Sequence, residues 1–192
     1  MKAIMISLAI AAVTFTACNN KSGPVNETIQ STDTAAINTT VIAAAVKASP
    51  VAAVVTNYLQ LKNALASDNA REAATAGKAA GESILQIDTA TLTAGQKKVY
   101  DELKADIKEH GEHIANNGDK IEHQREHFEM MSKDVYDLVK VFGSGQTLYK
   151  VHCPMYNEGK GADWLSEVKE IKNPYLGKKM PTCGTVKETI KN

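Results

Sequence analysis

Apolar residues recur at helical spacing through the middle of the chain, and this periodicity constrains the fold more than any other feature. It divides into four stripes, separated by turn and capping sequences. Their members are Val51, Val54, Val55, Tyr58, Leu61 and Leu65, then Ala73, Ala76, Ala80, Ile84 and Ile87, then Val99, Leu103, Ile107, His110 and Ile114, and finally Ile121, Phe128, Met131, Val135, Leu138 and Phe142. Four helices joined by short connections predict an antiparallel up-down bundle.

Punctuating residues predict where these helices begin and end. We expect Pro50 to be the first residue of the first helix, because its missing N–H has no partner there in any case. Three pairs have the spacing of a capping box: Asn69 with Glu72, Thr93 with Gln96, and Asp119 with Glu122. Gly118 is predicted to end the third helix in a left-handed conformation, and Gly143-Ser144-Gly145 to end the fourth.

Composition favours an all-α fold, because aromatic residues make up only 5% of the chain and small residues allow helices to approach closely. We assign residues 50–143 to the four-helix bundle. Residues 144–192 are richer in Cys, Met, Pro and Gly, and they predict a small irregular module packed on the bundle, with room for a short hairpin and one helical turn. Trp164 and Asn173-Pro174-Tyr175 are interpreted as its fold anchors, a large buried ring and a turn.

The N-terminal residues predict export and a lipid anchor. A basic start at Lys2 and an apolar run to Phe15 are typical of a secretory signal peptide, here residues 1–17. Phe15-Thr16-Ala17-Cys18 resembles the cleavage box of bacterial lipoproteins, so Cys18 is expected to carry lipid; the alternative is an ordinary signal with an incidental cysteine. Residues 18–49 have few large apolar side chains and predict a flexible tether. The expected location is the bacterial cell envelope, lipid-anchored to a membrane and facing the periplasm or the exterior.

Charge and motifs exclude several functions. Lys+Arg and Asp+Glu both total 22, so no basic excess indicates a nucleic-acid partner. No Ser-His-Asp spacing, phosphate-binding glycine loop or Cys-x-x-Cys pair is present, and we therefore predict a non-enzymatic protein.

Metal-binding side chains concentrate in the second half of the chain. All five histidines lie between residues 110 and 152. His110 and His113 precede the turn at Gly118, and His123 and His127 follow it, so an antiparallel hairpin brings the four together at one end. The i, i+4 spacing of His123 and His127 can chelate one ion, although helical histidines are more often core or solvated residues. These histidines could therefore bind zinc or copper(II) independently of the cysteines.

The cysteine segments favour a soft-metal site. With Cys18 lipidated, two thiols remain, each with a methionine nearby. Thiolate, thioether and imidazole ligands together suit copper(I) or another soft metal ion. The predicted ligands are Cys153, Met155, Met180 and Cys183, with His152 and His127 as completers.

A structural disulfide competes with the metal site. Two thiols in an oxidising compartment usually pair, and closing a loop of about thirty residues between Cys153 and Cys183 contributes roughly 3–4 kcal/mol in the chain-entropy treatment. The methionines would then fill gaps in the core. The protein would in this case be a non-catalytic interaction module that binds another envelope protein.

The C-terminal motifs resemble a bacterial family known as domain of unknown function 3347. The resemblance spans about Val51 to Val186, and it is carried by Gln124 to Phe128, Ser132, His152 to Met155, Gly161 to Leu165, Asn173 to Tyr175, Gly177 and Met180 to Gly184. Its members look like envelope lipoproteins, and related segments occur in membrane-fusion subunits of copper and silver efflux systems. Cys-Pro-Met is also similar to short heavy-metal-binding modules of such systems. The resemblance therefore implies soft-metal handling, with an efflux membrane-fusion subunit or another envelope protein as partner.

Overall fold

A computed structural model describes residues 49–191 of the chain. The predicted signal peptide, the lipidation site Cys18 and the tether as far as residue 48 lie outside the described residues, and these assignments stay predictions.

Four α-helices form the bundle: α1 (Ala52–Ala66), α2 (Ala70–Ser83), α3 (Ala94–Asn116) and α4 (Ile121–Phe142). Two short 3-10 turns, Ile84–Gln86 and Thr89–Thr91, connect α2 to α3. Most residues of the predicted apolar stripes are buried in one continuous core, which confirms the helical bundle. Successive helices run antiparallel: for example, the Asn57 side chain near the start of α1 donates to the Ala79 carbonyl near the end of α2.

The predicted helix ends were partly right. Asn69 caps α2, Thr93 and Gln96 form the capping box of α3, and Gly143 ends α4 with a φ of 71°. The start of α1 was wrong, because the helix begins at Ala52 after the turn at Pro50. The Asp119 cap was also wrong, since Lys120 occupies that position and no side chain caps α4.

The end of α3 falls at Asn116 as predicted, but by a different mechanism. Gly118 does not have a positive φ, so it does not adopt the predicted left-handed conformation. Instead, the side-chain amide of Asn117 donates to the His113 carbonyl at 2.8 Å. A side-chain hydrogen bond thus satisfies one of the carbonyls that the helix end leaves unpaired.

Glycines allow α2 and α3 to pack unusually closely. A Cβ added to Gly111 would lie 2.6 Å from the Gly77 carbonyl oxygen and 2.8 Å from the Gly81 Cα. Both atoms belong to backbone, which cannot rotate out of the way. These three glycines therefore set the separation of the two helices.

The all-α prediction was wrong, because the C-terminal module contains an antiparallel sheet. Its strands are β1 (Leu148–Cys153), β2 (Ala162–Ser166) and β3 (Thr185–Ile190), in the order β2-β1-β3. A 3-10 turn, Gly177–Lys179, lies between β2 and β3. The strands are short, and β1 buries its residues without strict alternation, next to an irregularity in its pairing with β3. A pattern of period two is therefore weak in the sequence.

Tyr58 joins the sheet to the bundle. Its buried hydroxyl donates to the Ser132 hydroxyl at 2.8 Å and accepts the Leu165 N–H at 3.0 Å, while Ser132 donates to the Phe128 carbonyl. This chain of bonds links α1, α4 and β2. Trp164 is 1% exposed, as its predicted role of fold anchor requires.

Arg125 makes a second junction. Its guanidinium is buried and donates to the carbonyls of Leu65 and Pro174 and to the Asp68 carboxylate, the last at 2.6 Å. The other Asp68 oxygen accepts the Lys178 N–H. Because the guanidinium is hydrogen-bonded on several sides, its burial is compensated.

Within residues 49–191, no helix combines the length and apolar character needed to cross a bilayer.

Candidate metal sites

The sheet brings Cys153 and Cys183 together, and we call them the thiol pair. Cys153 is the last residue of β1, and Cys183 is separated from the first residue of β3 by Gly184 alone. Because His152 pairs with Thr185 across the two strands, the sulfur atoms lie 2.9 Å apart. Cys153 is buried, whereas Cys183 is partly exposed.

Asn173 fixes the segment that carries Cys183. This fully buried side chain donates to the Cys183 carbonyl at 2.6 Å, and its oxygen accepts the N–H groups of Tyr175 and Leu176. The sequence predicted a turn here, and it gave no sign of this long-range bond.

The surroundings of Cys183 favour its protonated form over the thiolate. Burial and the hydrogen bond with Cys153 raise the pKa of Cys183, against a smaller opposite effect of the Met155 backbone N–H. Since a metal binds the thiolate, binding at this site would release protons.

The predicted methionine ligands lie in solvent. Met155 is 58% exposed and Met180 is 40% exposed. Their backbones nevertheless touch Cys183, whose N–H donates to the Met180 carbonyl. The structure thus assembles the two thiols and leaves both thioethers at the surface beside them.

His152 is engaged by β2. Its Nδ1 lies 2.7 Å from Asp163 Oδ1, a residue that also pairs with Lys150 at 3.0 Å. Burial opposes ionisation of Asp163, but the hydrogen bonds from His152 and Lys150 outweigh it and lower the pKa of the carboxyl group. One of the two imidazole nitrogens is therefore occupied by a cross-strand partner.

His127 belongs to a different group of residues. It lies with His110, His113 and His123 on the facing sides of α3 and α4, and we call these four residues the histidine cluster. The rings of His113 and His127 stack with centroids 4.3 Å apart, and the ring of His123 meets His127 edge-on at 4.7 Å. The hairpin predicted from the sequence does bring the four histidines together.

Three members of the histidine cluster could hold an ion. His113, His123 and His127 each offer a ligand atom, and these atoms all lie within 4.8 Å of one another. His110 touches the group from behind, with its Nδ1 3.2 Å from His127 Nδ1. Its Nε2 lies 3.8 Å from Asp134 Oδ2, a partner that the sequence analysis missed. The signal was present, because Asp134 follows His127 by seven residues and shares its helix face.

Burial keeps the centre of the histidine cluster neutral. Burial first, and then the neighbouring His113 and His123, lower the pKa of His127 to about 4. Burial likewise lowers the pKa of His110. At neutral pH both rings are therefore uncharged, and each has one nitrogen with a lone pair.

Residues 54–147 match the family model described as a protein of unknown function, DUF3347. The match therefore covers the four helices and ends just before the sheet. The match confirms the resemblance to DUF3347 that the sequence predicted. The resemblance was expected to rest mainly on the cysteine motifs, but the matched residues are those of the helices. No curated protein and no solved structure matches the chain.

The two candidate sites fall on different sides of the DUF3347 boundary. The whole histidine cluster lies within residues 54–147, whereas both members of the thiol pair lie beyond residue 147. The family segment and the C-terminal module therefore each bring one set of metal-binding side chains.

Proposed function

We propose that this protein is a membrane-anchored lipoprotein of the bacterial cell envelope that binds a soft metal ion, copper(I) or silver, in heavy-metal handling or efflux. The observation that carries the proposal is the thiol pair, whose sulfur atoms come from distant segments and lie 2.9 Å apart. Two thiolates are a ligand set that soft monovalent ions prefer.

A small movement would fit the thiol pair to an ion. With metal–sulfur bonds of about 2.3 Å, two thiolates in a tetrahedral site lie roughly 3.8 Å apart. Cys183 would supply this opening, because it is partly exposed and lies outside the strands. Met155 and Met180 are free to turn inward as further ligands, since their side chains are exposed.

The exposure of the methionines also fits a role in transfer. An ion held between a buried thiol and surface thioethers is accessible to a partner protein. The partner we propose is a membrane-fusion subunit of an efflux system or another envelope protein. Lipid on Cys18 would hold the protein at the membrane where such partners lie.

A second candidate function is favoured by the same short distance. A disulfide needs the sulfur atoms to approach from 2.9 Å to about 2.05 Å, a movement as small as the opening that an ion requires. In that case the pair only stabilises the module, and the protein acts by binding another envelope protein.

The two functions are separated by titrating copper(I) into the full-length protein, purified from membranes in detergent, reduced and without oxygen. A chromogenic copper(I) chelator competes, and free thiols are counted on protein that was never reduced. Under the first proposal one copper ion binds tightly and the thiols are free or protected by metal. Absence of competition at micromolar chelator, together with absence of free thiols, would instead support the disulfide.

Methionine variants test the ligand set. Met155→Leu and Met180→Leu conserve volume and should weaken copper(I) binding without affecting the fold. Met130→Leu is the matched control, because Met130 is similarly exposed, at 38%, but lies on α4. Equal copper(I) affinity in all three variants would show that the thioethers of Met155 and Met180 are not ligands.

The lipid anchor has its own test. Replacing Cys18 with serine should move the protein from the membrane fraction to the soluble envelope fraction, as followed by immunoblotting after cell fractionation. A variant that stays in the membrane fraction would contradict anchoring through this residue.

A further inference from the structure

The histidine cluster has the spacing of a chelating site. His110 and His113 on α3 face His123 and His127 on α4 across an antiparallel helix pair. Residues three or four apart project from the same helix face, so each helix presents two imidazoles to the other. The thiol pair contributes no residue to this cluster, which lies entirely on α3 and α4.

Small ring movements would close the cluster around an ion. Imidazole nitrogens bound to zinc lie about 2.0–2.1 Å from the metal, and hence about 3.3 Å from one another in a tetrahedron. The candidate atoms of His113, His123 and His127 already lie within 4.8 Å. His113 stacks on His127, and two parallel rings cannot both direct lone pairs at one ion. His113 is 47% exposed, and its Nε2 lies 3.7 Å from Glu109 Oε1, so a rotation toward the ion would give up only this surface contact and the stacking.

The neighbouring groups define which nitrogen of His127 is free. His110 Nδ1 and His127 Nδ1 are 3.2 Å apart, so one of them donates to the other. If His127 donates, His110 carries its proton on Nε2, which faces the Asp134 carboxylate. The opposite arrangement would direct a lone pair of His110 at that carboxylate. The favoured tautomer therefore leaves His127 Nε2 as the ligand atom.

His123 is oriented in a similar way. Its Nδ1 lies 3.1 Å from Glu126 Oε2, and an Nδ1–H that donates to this carboxylate leaves Nε2 free. Carboxylates that fix the tautomer of a ligand histidine are a regular feature of metal sites.

We propose that the α3–α4 hairpin holds a second metal site, for a borderline divalent ion such as Zn²⁺ or Cu²⁺, with His113, His123 and His127 as ligands. His110 is a positioning residue that holds His127 in the Nδ1–H form. Three imidazoles suit these ions, and water completes the coordination. This site is separate from the thiol pair and stands whether or not copper(I) binds there.

Imidazole NMR of the full-length protein tests the site directly. Long-range ¹H–¹⁵N correlation spectra of the metal-free protein should show His127 with its proton on Nδ1. Addition of one equivalent of Zn²⁺ should shift one ring nitrogen each of His113, His123 and His127, and leave His152 unchanged. Zinc that shifts none of the three, or that shifts all five histidines alike at millimolar concentration, would overturn the proposal.

Affinity measurements with variants provide the second test. Replacing His113, His123 or His127 with alanine should weaken Zn²⁺ binding at least ~100-fold, because a three-ligand site becomes a two-ligand one. His152→Ala is the matched control, since it removes a histidine outside the hairpin and should leave the affinity unchanged. Unchanged affinity in the three cluster variants would refute the ligand set.

The thiol pair must be excluded as the source of zinc binding. In the double variant Cys153→Ala/Cys183→Ala, the affinity for Zn²⁺ should equal that of the original protein. Loss of zinc binding in this variant, with the NMR fingerprint of the fold retained, would assign the zinc to the thiols and overturn the proposal.

The positioning role of His110 can be distinguished from a ligand role by the tautomer of His127 in the metal-free protein. His110→Ala should weaken Zn²⁺ binding roughly 10–100-fold, as expected for a residue that orients a ligand. In the metal-free variant, His127 should change from the Nδ1–H form to a mixture of tautomers. An unchanged His127 tautomer would refute the positioning role of His110. The assignment of His113, His123 and His127 as ligands would then depend on the NMR and affinity measurements alone.

Discussion

Replacing Gly111 with alanine is expected to destabilise the protein by forcing α2 and α3 apart. The added Cβ would lie 2.6 Å from the Gly77 carbonyl oxygen, 2.8 Å from the Gly81 Cα and 2.9 Å from the Gly81 nitrogen. All three atoms are backbone, so no side-chain rotation relieves the overlap. Carbon and oxygen atoms in contact normally lie about 3.3–3.6 Å apart, and the helices must therefore separate by roughly 0.7 Å.

The magnitude follows from two opposing effects. Overpacking of this kind costs typically 1–3 kcal/mol, and contact with three backbone atoms places Gly111 toward the upper end. Alanine favours the helix over glycine by about 0.8–1.0 kcal/mol. We therefore expect the free energy of unfolding to fall by about 1–2 kcal/mol, equivalent to a decrease of roughly 3–8 °C in Tm.

Urea and thermal unfolding of full-length protein, followed by circular dichroism at 222 nm, measure this effect. Gly95→Ala is the matched control: it lies on the same helix, and an added Cβ would meet nothing within 4 Å. This control should leave stability unchanged or raise it by up to about 1 kcal/mol. If Gly111→Ala proved as stable as Gly95→Ala, the close approach of α2 and α3 would be refuted.

Three further substitutions test the two junctions between the bundle and the C-terminal module. Tyr58→Phe removes the acceptor of the buried Leu165 N–H and should lower the free energy of unfolding by about 1–3 kcal/mol in urea; no loss would mean that another acceptor replaces it. Burial alone would raise the pKa of Asp68, but hydrogen bonds from Arg125 and a backbone N–H lower it, so its stabilisation is present above about pH 4 and is lost as the pH falls. Asp68→Asn should therefore flatten the decline of unfolding free energy below about pH 5, and parallel pH profiles would contradict this. Gly177→Ala should destabilise the same contact, because Gly177 has a φ of +50° and an added methyl would overlap the Asp68 carboxylate; unchanged Tm would show that the turn can move.

The helices could be predicted because their signals are local. Capping pairs such as Thr93 with Gln96, and the recurrence of apolar residues every three or four positions, depend only on near neighbours in the chain. The sheet could not be predicted in the same way. Leu148 pairs with Ile190, and β3 carries mostly polar side chains, so its pairing is decided by distant residues.

Proximity within each candidate site was partly predictable. Two histidines on either side of the α3–α4 turn must approach each other in any antiparallel hairpin, whereas the stacking of His113 on His127 depends on rotamers that spacing does not specify. For the cysteines, the similar composition of the two motifs predicted that Cys153 and Cys183 lie close together. It did not predict the distance between their sulfur atoms or the strands that hold them. The sheet supplies that geometry, because the end of β1 lies beside the start of β3 and Asn173 holds the Cys183 backbone in place.

The redox chemistry of the envelope gives the two proposed sites different dependence on conditions. Oxidation would convert the thiol pair to a disulfide and remove its thiolates as ligands. Imidazoles keep their lone pairs under the same conditions, and His127, with a pKa of about 4, also keeps them in mildly acidic surroundings. A protein with both sites would therefore bind a divalent ion in either redox state but a soft monovalent ion only when reduced. Copper(I) prefers thiolate and thioether ligands to imidazoles alone, and we therefore expect it to bind at the thiol pair rather than at the histidine cluster.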